Sequence, residues 1–376
     1  MESSRLIGKI ASRGYSGFSG IIIHEKPNNQ NWSMGMCHLL LVLCFGYTLM
    51  YSRMKANHCS SSLERMDVNL RVKLDEYMYV HEAFRRNHCV QGKFKTYDPD
   101  YPLIEYEIKE NIVWNGASVC SSDTFVLLLF FLYRDDFQRR ELIRQYIKQG
   151  VAVDGEIVKY LFVIAAEEGQ YSDLKKENDA FGDILISVHV DTFENLTLST
   201  LDSFLWVRNH CKQAQFIVKI DGDTWAHLGN MVRYLKSVPP ERFYGGFYYR
   251  RFYPKNFTYR KVKMIPSDYP ERMWYFMVGG AYMLSRDLIP YINIGTLYID
   301  LITPVGEDMV VGEVLRKLGV PPYEDQHGFQ VYSTIYTLVN HTIPPNSVFV
   351  HGLKDFQYLS DVYRSHASSF TVPYRQ

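Results

Sequence analysis

The sequence lacks an excess of either charge. Its 376 residues include 41 basic and 41 acidic side chains, so the formal net charge is zero. This balance argues against a protein that binds nucleic acid or an anionic surface through bulk charge. Low-complexity tracts and internal repeats are also absent, and the 47% of apolar residues exclude the disordered and collagen-like classes. We therefore expect about two domains, or one large domain with appendages.

Two common kinds of ligand-binding motif are missing as well. No G-x-G-x-x-G or Walker sequence occurs, so a dinucleotide or P-loop interpretation loses its usual support. No C-x-x-C motif or Cys/His cluster indicates zinc. Four cysteines, Cys59, Cys89, Cys120 and Cys211, are compatible with two disulfides in an oxidising compartment, and their spacing leaves the pairing open.

One segment near the N-terminus carries no charge. A helix over residues 34–51 would reach about 27 Å, close to the thickness of a bilayer core. We expect a membrane-spanning signal anchor here rather than a cleaved signal peptide or a buried core helix. The predicted order is a cytoplasmic tail (1–33), the membrane helix (34–51), a stem or N-terminal extension (52–122) and a lumenal catalytic domain (123–376).

Local charge does not favour this orientation, because more basic residues follow the apolar segment than precede it. Three N-x-S/T sequons after the segment, at Asn195, Asn256 and Asn340, favour a lumenal C-terminal portion. Asn31 forms another sequon on the opposite side.

Apolar strands and helices alternate from Thr124 onward. Predicted strands cover 124–133, 158–165, 184–190 and 216–220; predicted helices cover 136–149 and 198–211, with a helical or looped segment at 171–180. Such an alternation predicts an open α/β domain of Rossmann-like character with a mostly parallel sheet. Ligands of such sheets bind beyond the carboxyl ends of the strands, which is where Asp221 and Asp223 lie.

Two pairs of acidic residues are candidates for chemistry. Asp221 and Asp223 flank a glycine after a strand and offer the hard oxygen ligands that Mg²⁺ and Mn²⁺ prefer; the alternative is an ordinary Asp-Gly turn. Glu307 and Asp308 precede a helix predicted over 309–318. Acidic residues at a helix start complement its dipole, but a carboxylate that faces a cleft could instead deprotonate a sugar hydroxyl.

Two further groups have two interpretations each. Gly279-Gly280 either lets the backbone approach a ligand or forms a tight turn or bulge. Arg140 and Arg144, four residues apart on a predicted helix, either bind a phosphate or lie on a solvated face.

Five sequence blocks, taken together, resemble those of one enzyme family. In chain order they are Arg140 to Arg144 (RELIR), Phe181 to Leu185 with Asp191 to Thr200 (FGDIL, DTFENLTLST), Trp206 and Cys211 before Lys219 to Asp223 (KIDGD), Gly279 to Ser285 (GGAYMLS), and Glu307 to Gly312 (EDMVVG). They are similar to the blocks of the inverting β-1,3-glycosyltransferases, which include galactosyl- and N-acetylglucosaminyltransferases. The resemblance covers residues 124 to 335.

The resemblance implies a fold and an activity. The fold is of the GT-A type, with a mixed, mostly parallel sheet that binds a nucleotide sugar. The activity is metal-dependent transfer of a hexose, galactose or an N-acetylhexosamine, from a UDP-sugar to the 3-hydroxyl of an acceptor glycan on a glycoprotein or glycolipid. The protein is then expected in the Golgi membrane, or that of the endoplasmic reticulum, as a single-pass type II protein; a homodimer is compatible with the sequence.

The resemblance also implies residue roles. Asp223 binds Mn²⁺ or Mg²⁺, Asp221 contacts the metal or the nucleotide, and Asp308 is the catalytic base. The donor-binding positions are Arg140, Arg144, Lys219, Gly279 and Gly280, with Asp221 and Asp223.

The sequence departs from the family pattern at several positions. Gly222 replaces the middle aspartate of the metal motif, while the outer two remain. Met277 and Val314 stand where relatives often carry cysteine, which predicts the joint loss of one disulfide. An inactive lumenal chaperone or a lectin-like protein with the same fold is the alternative function. RNA binding by the Tyr/Arg-rich segment 247–263 is disfavoured by the zero net charge.

Overall fold

The computed structural model describes residues 111–113, 119–193, 195–253, 258–259, 262–263, 272–296, 306–323, 329–331 and 343–366. All of them belong to one compact unit, Glu76–Gln376. Several predicted features lie outside the described residues: the tail, the membrane helix, most of the stem, Cys59, Cys89, Asn256 and Asn340. Among the helices of the described ranges, none has the length and apolar character needed to cross a bilayer.

The described residues form strands and helices in the following order. The strands are β1 (Ile112–Val113), β2 (Thr124–Phe131), β3 (Val151–Val153), β4 (Glu156–Ala165), β5 (Ile184–Ser187), β6 (Phe216–Asp221), β7 (Thr224–Ala226), β8 (Tyr244–Tyr253), β9 (Thr258–Tyr259), β10 (Val262–Lys263), β11 (Arg272–Ser285), β12 (Phe329–Val331) and β13 (Phe349–His351). The helices are α1 (Phe137–Tyr146), α2 (Ser172–Phe181), α3 (Leu196–His210), α4 (Leu228–Ser237), α5 (Ile289–Gly295), α6 (Glu307–Lys317) and α7 (Phe356–Ser365).

The main sheet is mixed, with a parallel centre. Its order is β1-β5-β4-β2-β6-β11-β8, and β3 pairs with β4 off this path. The neighbours β5, β4, β2 and β6 are parallel, whereas β1, β3, β11 and β8 pair antiparallel with their neighbours. The prediction of an α/β domain with a mixed sheet is confirmed, and the four strands predicted from the apolar runs form the parallel centre.

Beyond Asp221 the sequence analysis predicted little of the architecture. The long antiparallel strands β8 and β11 extend the main sheet past β6. Two small sheets accompany it: a β9–β10 pair and a three-stranded sheet of order β12-β13-β7. The segment 247–263 contains the end of β8 and the β9–β10 pair.

The side chains of β2 explain why this strand is central. Val126, Leu128 and Phe130 belong to one buried cluster, and the alternating Leu127 and Leu129 belong to another. Successive side chains of a strand point to opposite faces, so a continuous apolar run supplies two cores at once. Full burial of each such side chain stabilises the fold by about 1.5–3 kcal/mol.

A disulfide closes the parallel half of the domain. Cys120, just before β2, bonds to Cys211 at the end of α3, with Cα atoms 5.3 Å apart and 91 positions between them in sequence. This bond supplies one of the two disulfides that the cysteine count allows. A cross-link over a loop of this length stabilises a fold by about 2–5 kcal/mol.

Met277 and Val314 pack in the same hydrophobic cluster, and both are fully buried. Apolar side chains therefore fill the positions at which relatives often carry cysteine. That they mark one lost disulfide stays a prediction.

Candidate active site

The first carboxylates of the site lie at the carboxyl edge of the parallel strands. Asp221 ends β6 and stands opposite Phe131, the last residue of β2. A Cβ on Gly222 would lie 2.4 Å from the Leu132 side chain, which follows β2. The glycine thus accommodates the close approach of the Leu132 side chain.

Asp221, Asp223 and His351 form a cluster with the spacing of metal ligands. One ligand atom from each lies within 4.8 Å of the others. Their side chains are 28%, 22% and 23% exposed, so the cluster is open to a ligand. His351 reaches it because β13 pairs with β7, which places His351 opposite Thr224.

One ring nitrogen of His351 faces both Thr224 and Asp223. The Thr224 hydroxyl donates to the Gly280 carbonyl at 2.9 Å, and its oxygen lies 2.9 Å from His351 Nδ1. Because the hydroxyl proton is already used, Nδ1 is the donor to the hydroxyl oxygen. Nδ1 also lies 3.1 Å from Asp223 Oδ1. Thr224 and Asp223 therefore hold the ring at the edge of the cluster.

Burial alone would raise the pKa of Asp223. The hydrogen bond and charge of His351 outweigh burial, and the pKa lies below its ordinary value. Asp223 is therefore ionised at neutral pH. Two carboxylate oxygens with one imidazole nitrogen form a donor set that suits a divalent cation.

Lys219 is the buried centre of the site. Its side chain is completely buried, and Nζ lies 2.5 Å from Asp221 Oδ1 and 2.8 Å from Glu307 Oε1. It also donates to the Gly279 carbonyl at 2.5 Å. Burial would lower the pKa of Lys219, but the two carboxylates outweigh burial and raise the pKa, so the ammonium stays protonated.

Asp308 lies in the first turn of α6 and is held by two backbone amides. Oδ2 accepts from the Gly279 N–H at 3.0 Å, and Oδ1 accepts from the Met309 N–H at 2.8 Å. Burial raises the pKa of Asp308 above its ordinary value, although Lys219 and the two amides oppose the shift. The carboxylate is partly exposed. It combines access with a pKa moved toward that of an effective base.

Glu307 is more deeply buried than its neighbour. Only 4% of it is exposed, and Oε2 accepts from the Tyr282 hydroxyl at 2.9 Å. Burial raises the pKa of Glu307 to about 7 against the opposing charge of Lys219. The sequence had flagged Glu307 only as part of an acidic pair at a helix start.

The glycine pair of β11 makes room for these side chains. A Cβ on Gly279 would lie 2.9 Å from Glu307 Oε1, and one on Gly280 would lie 2.2 Å from the His351 ring. The register with β8 shifts between Met277 and Tyr282, so the pair also lies in the bulge that the sequence gave as the alternative.

Arg140 and Arg144 lie in a separate ion-pair network. Arg140 binds Glu177 with two hydrogen bonds of 2.8 and 2.7 Å, and Arg144 binds Asp183 with two of 2.8 Å. Arg144 also lies 2.7 Å from Glu177. Arg140 is only 2% exposed, so the helix face is not solvated there.

Arg144 also lines an open groove of about 560 Å³ between α1, the end of α2 and α7. None of the carboxylates near Lys219 lines this groove. A contact of either arginine with the donor nucleotide stays a prediction.

Comparison with known proteins agrees with this geometry. Residues 138–326, just over half of the chain, match the sequence model of the family described as Galactosyltransferase. The chain belongs to the galactosyltransferase family. The matched segment contains Lys219, Asp221, Asp223, Glu307 and Asp308, whereas His351 lies beyond it.

Three relatives illustrate the range of similarity. The chain is 32% identical to lactosylceramide 1,3-N-acetyl-β-D-glucosaminyltransferase B of Xenopus laevis over 55% of its own length and 58% of that protein. It is 29% identical to UDP-GalNAc:β-1,3-N-acetylgalactosaminyltransferase 1 of Homo sapiens over 64% and 73%. It is 28% identical to β-1,3-galactosyltransferase 1 of Mus musculus over 69% and 79%. The match thus spans little more than half of the Xenopus relative, and the three names share the 1,3 linkage but not the sugar.

His351 is the main site residue that sequence analysis missed. Its only signal in the sequence is a histidine at the end of a short apolar strand, before a glycine. In the structure this glycine, Gly352, has a positive φ of 93° and lies in the turn that follows. A lone histidine of this kind is common in proteins without a metal. Only the pairing of β13 with β7 brings it to Asp223.

Proposed function

We propose that this protein is a metal-dependent inverting glycosyltransferase. It transfers galactose or an N-acetylhexosamine from a UDP-sugar to the 3-hydroxyl of an acceptor glycan, forming a β-1,3 linkage. The observation that carries the proposal is the Asp221, Asp223 and His351 cluster, linked through Lys219 and Gly279 to the carboxylate of Asp308. Family membership and the 1,3-glycosyltransferase names of the relatives support it.

The mixed sheet supports a GT-A type of nucleotide-sugar domain. Its carboxyl edge carries Asp221 and Asp223, and its antiparallel extension β11 carries the glycine pair that contacts Asp308. The donor side and the acceptor side of the reaction would therefore meet between β6 and β11.

Asp221, Asp223 and His351 would hold the divalent cation, Mn²⁺ or Mg²⁺. When bound, the cation neutralises the charge that develops on the diphosphate of the departing UDP. All three residues are partly exposed, so the cluster would be accessible to the diphosphate.

Asp308 would act as the catalytic base. Its carboxylate takes the proton of the acceptor 3-hydroxyl while that oxygen bonds to the anomeric carbon of the donor sugar. The bond from this carbon to the UDP oxygen breaks, its electron pair leaves with UDP, and the configuration inverts. A base positioned in this way typically contributes about 10² to 10⁴-fold to the rate.

We propose a Golgi location as a single-pass type II membrane protein, with the catalytic domain in the lumen. The uncharged segment 34–51 supports the anchor. The Cys120–Cys211 disulfide supports an oxidising compartment, since such bonds rarely persist in the cytosol.

The decisive experiment is a donor screen with the full chain purified in mild detergent. UDP-galactose, UDP-N-acetylglucosamine and UDP-N-acetylgalactosamine are each combined with β-linked acceptor glycans and Mn²⁺, and UDP release and product linkage are measured. We expect one donor to give a β-1,3 product that is lost on chelation and in Asp223→Asn. Absence of transfer from every donor, together with absence of metal-linked UDP binding, would favour the inactive chaperone or lectin-like alternative.

A further inference from the structure

The ammonium of Lys219 is enclosed by groups of the protein itself. It donates to Asp221 Oδ1 at 2.5 Å and to the Gly279 carbonyl at 2.5 Å, and it forms an ion pair with Glu307 Oε1 at 2.8 Å. The rings of Phe131 and Tyr282 lie 5.2 and 5.9 Å from Nζ. Lys219 is therefore enclosed, although the family resemblance implied a contact with the donor.

Gly279 connects this ammonium to Asp308. Its carbonyl accepts from Lys219, and its N–H donates to Asp308 Oδ2 at 3.0 Å. Both polar groups of one backbone residue are thus used, one on each side. A continuous set of short contacts runs from Asp221 through Lys219 and Gly279 to Asp308.

Glu307 holds the ammonium in place from the other side. One of its oxygens pairs with Lys219 and the other accepts from the Tyr282 hydroxyl at 2.9 Å. Because Glu307 is buried, it is not available to a sugar hydroxyl, in contrast to the partly exposed Asp308.

We propose that Lys219 and Glu307 are positioning residues that set the separation between the metal-binding carboxylate of Asp221 and the base Asp308. This inference rests on the proposed function. A displacement of about 1 Å between reacting groups is enough to lower the rate about 10²-fold. Lys219 and Glu307, by fixing the distance between the two carboxylates, therefore affect the rate directly.

The test uses the double variant Lys219→Met/Glu307→Gln in the full chain. It removes one positive and one negative charge together, so the net charge of the site is unchanged. We expect kcat to fall by about 10 to 100-fold, while KM for the UDP-sugar and the dissociation constant of UDP with Mn²⁺ stay within about threefold of wild type.

A matched control lies on the same helix. Glu313 is as buried as Glu307, at 3% against 4% exposed, and it pairs with Arg316 rather than with Lys219. Glu313→Gln should lower the unfolding midpoint without changing kcat. The single variant Glu307→Gln keeps an amide oxygen toward Lys219 and turns its amide NH₂ toward the Tyr282 hydroxyl oxygen. Its loss in kcat should be smaller than that of the double variant.

The outcomes separate the two proposals. If wild type transfers sugar and the folded double variant does so with the same kcat, positioning by Lys219 and Glu307 is rejected. A variant that instead loses UDP affinity at unchanged kcat would also reject it, in favour of a phosphate contact. Should the double variant fail to fold, Glu307→Gln decides by the same criteria. Wild type that transfers no sugar overturns the proposed function and this inference with it.

Discussion

Two buried charge clusters in this domain differ in their balance. The arginine cluster contains Arg140, Arg144, Glu177 and Asp183, so two guanidinium groups face two carboxylates in paired hydrogen bonds. The site cluster contains Lys219, Asp221, Asp223, Glu307, Asp308 and His351, so one ammonium lies among four carboxylates beside a histidine.

The difference separates stability from function. A balanced cluster with bidentate geometry satisfies its charges internally and needs no ligand. The site cluster keeps an excess of negative charge in a partly buried place, which the fold alone would not favour. Its imbalance is explained when a divalent cation and a proton, the two positive species of the proposed reaction, are added to it. The following predictions test this contrast, from the largest effect to the smallest.

Asp308→Asn changes the site cluster, and we expect it to have the largest effect on the transfer rate. The amide cannot take a proton, so transfer should fall by about 10² to 10⁴-fold, while UDP binding with Mn²⁺ is retained. Initial rates of UDP release and calorimetric UDP titrations measure the two quantities. Asp361→Asn, a change at an exposed carboxylate of α7, is the control and should leave the rate unchanged. Equal transfer by Asp308→Asn and wild type would remove Asp308 from the role of base.

Glu177→Leu should disrupt the arginine cluster and have the opposite effect: it should lower the stability of the fold and leave the transfer rate nearly unchanged. Glu177 contacts both arginines, and leaving buried charges without a partner typically costs about 3–5 kcal/mol of unfolding free energy. Urea unfolding measures this loss, and kcat of the folded enzyme at low temperature should stay near wild type. Asp173→Ala removes an exposed ion pair with Lys176 on the same helix and should change stability little. A normal unfolding midpoint with impaired donor binding would instead indicate that the cluster contacts the nucleotide.

Mn²⁺ together with UDP should stabilise the protein by relieving the imbalance of the site cluster. Free ligand at 100 times its dissociation constant adds about 2.7 kcal/mol to the unfolding free energy. Thermal unfolding with and without a chelator measures the shift. His351→Ala should reduce it and Glu177→Leu should not, since only His351 lies beside Asp223. An identical shift in His351→Ala would exclude this histidine as a ligand.

The pH dependence of stability should show the smallest effect. The pKa of Glu307 is raised to about 7, so the folded state binds a proton that the unfolded state has already lost. Stability from this group is therefore lost as pH rises from about 4.5 to about 7. Urea midpoints across this range should fall less in Glu307→Gln than in wild type. If the urea midpoints of wild type and Glu307→Gln fall in parallel with pH, Glu307 is not the group that titrates.

The parallel half of the fold was predictable because its strands are apolar on both faces. The runs that begin at Thr124 and Phe216 carry no competing helical period, and the structure places both in the centre of the sheet. Asp221 and Asp223 could be located in the same way, since they follow directly from the end of a predicted strand.

The rest of the site depends on contacts between distant parts of the chain. His351 meets Thr224 across 127 positions, and Lys219 meets Gly279 across 60. No local pattern encodes such pairing, because it is set by the register of β13 on β7 and of β11 on β6. The ion pairs of the arginines were not predictable for a similar reason: their partners, Glu177 and Asp183, lie on and just after α2, whose packing the sequence does not reveal.

The contact between Gly222 and Leu132 links two positions that are far apart in sequence. A Cβ atom on Gly222 would overlap with the branched end of the Leu132 side chain. An aspartate at position 222 would need a smaller or displaced side chain at position 132. We therefore expect the two positions to co-vary across the family. Gly222→Asp alone would clash with Leu132, and a smaller residue at position 132 would relieve that clash.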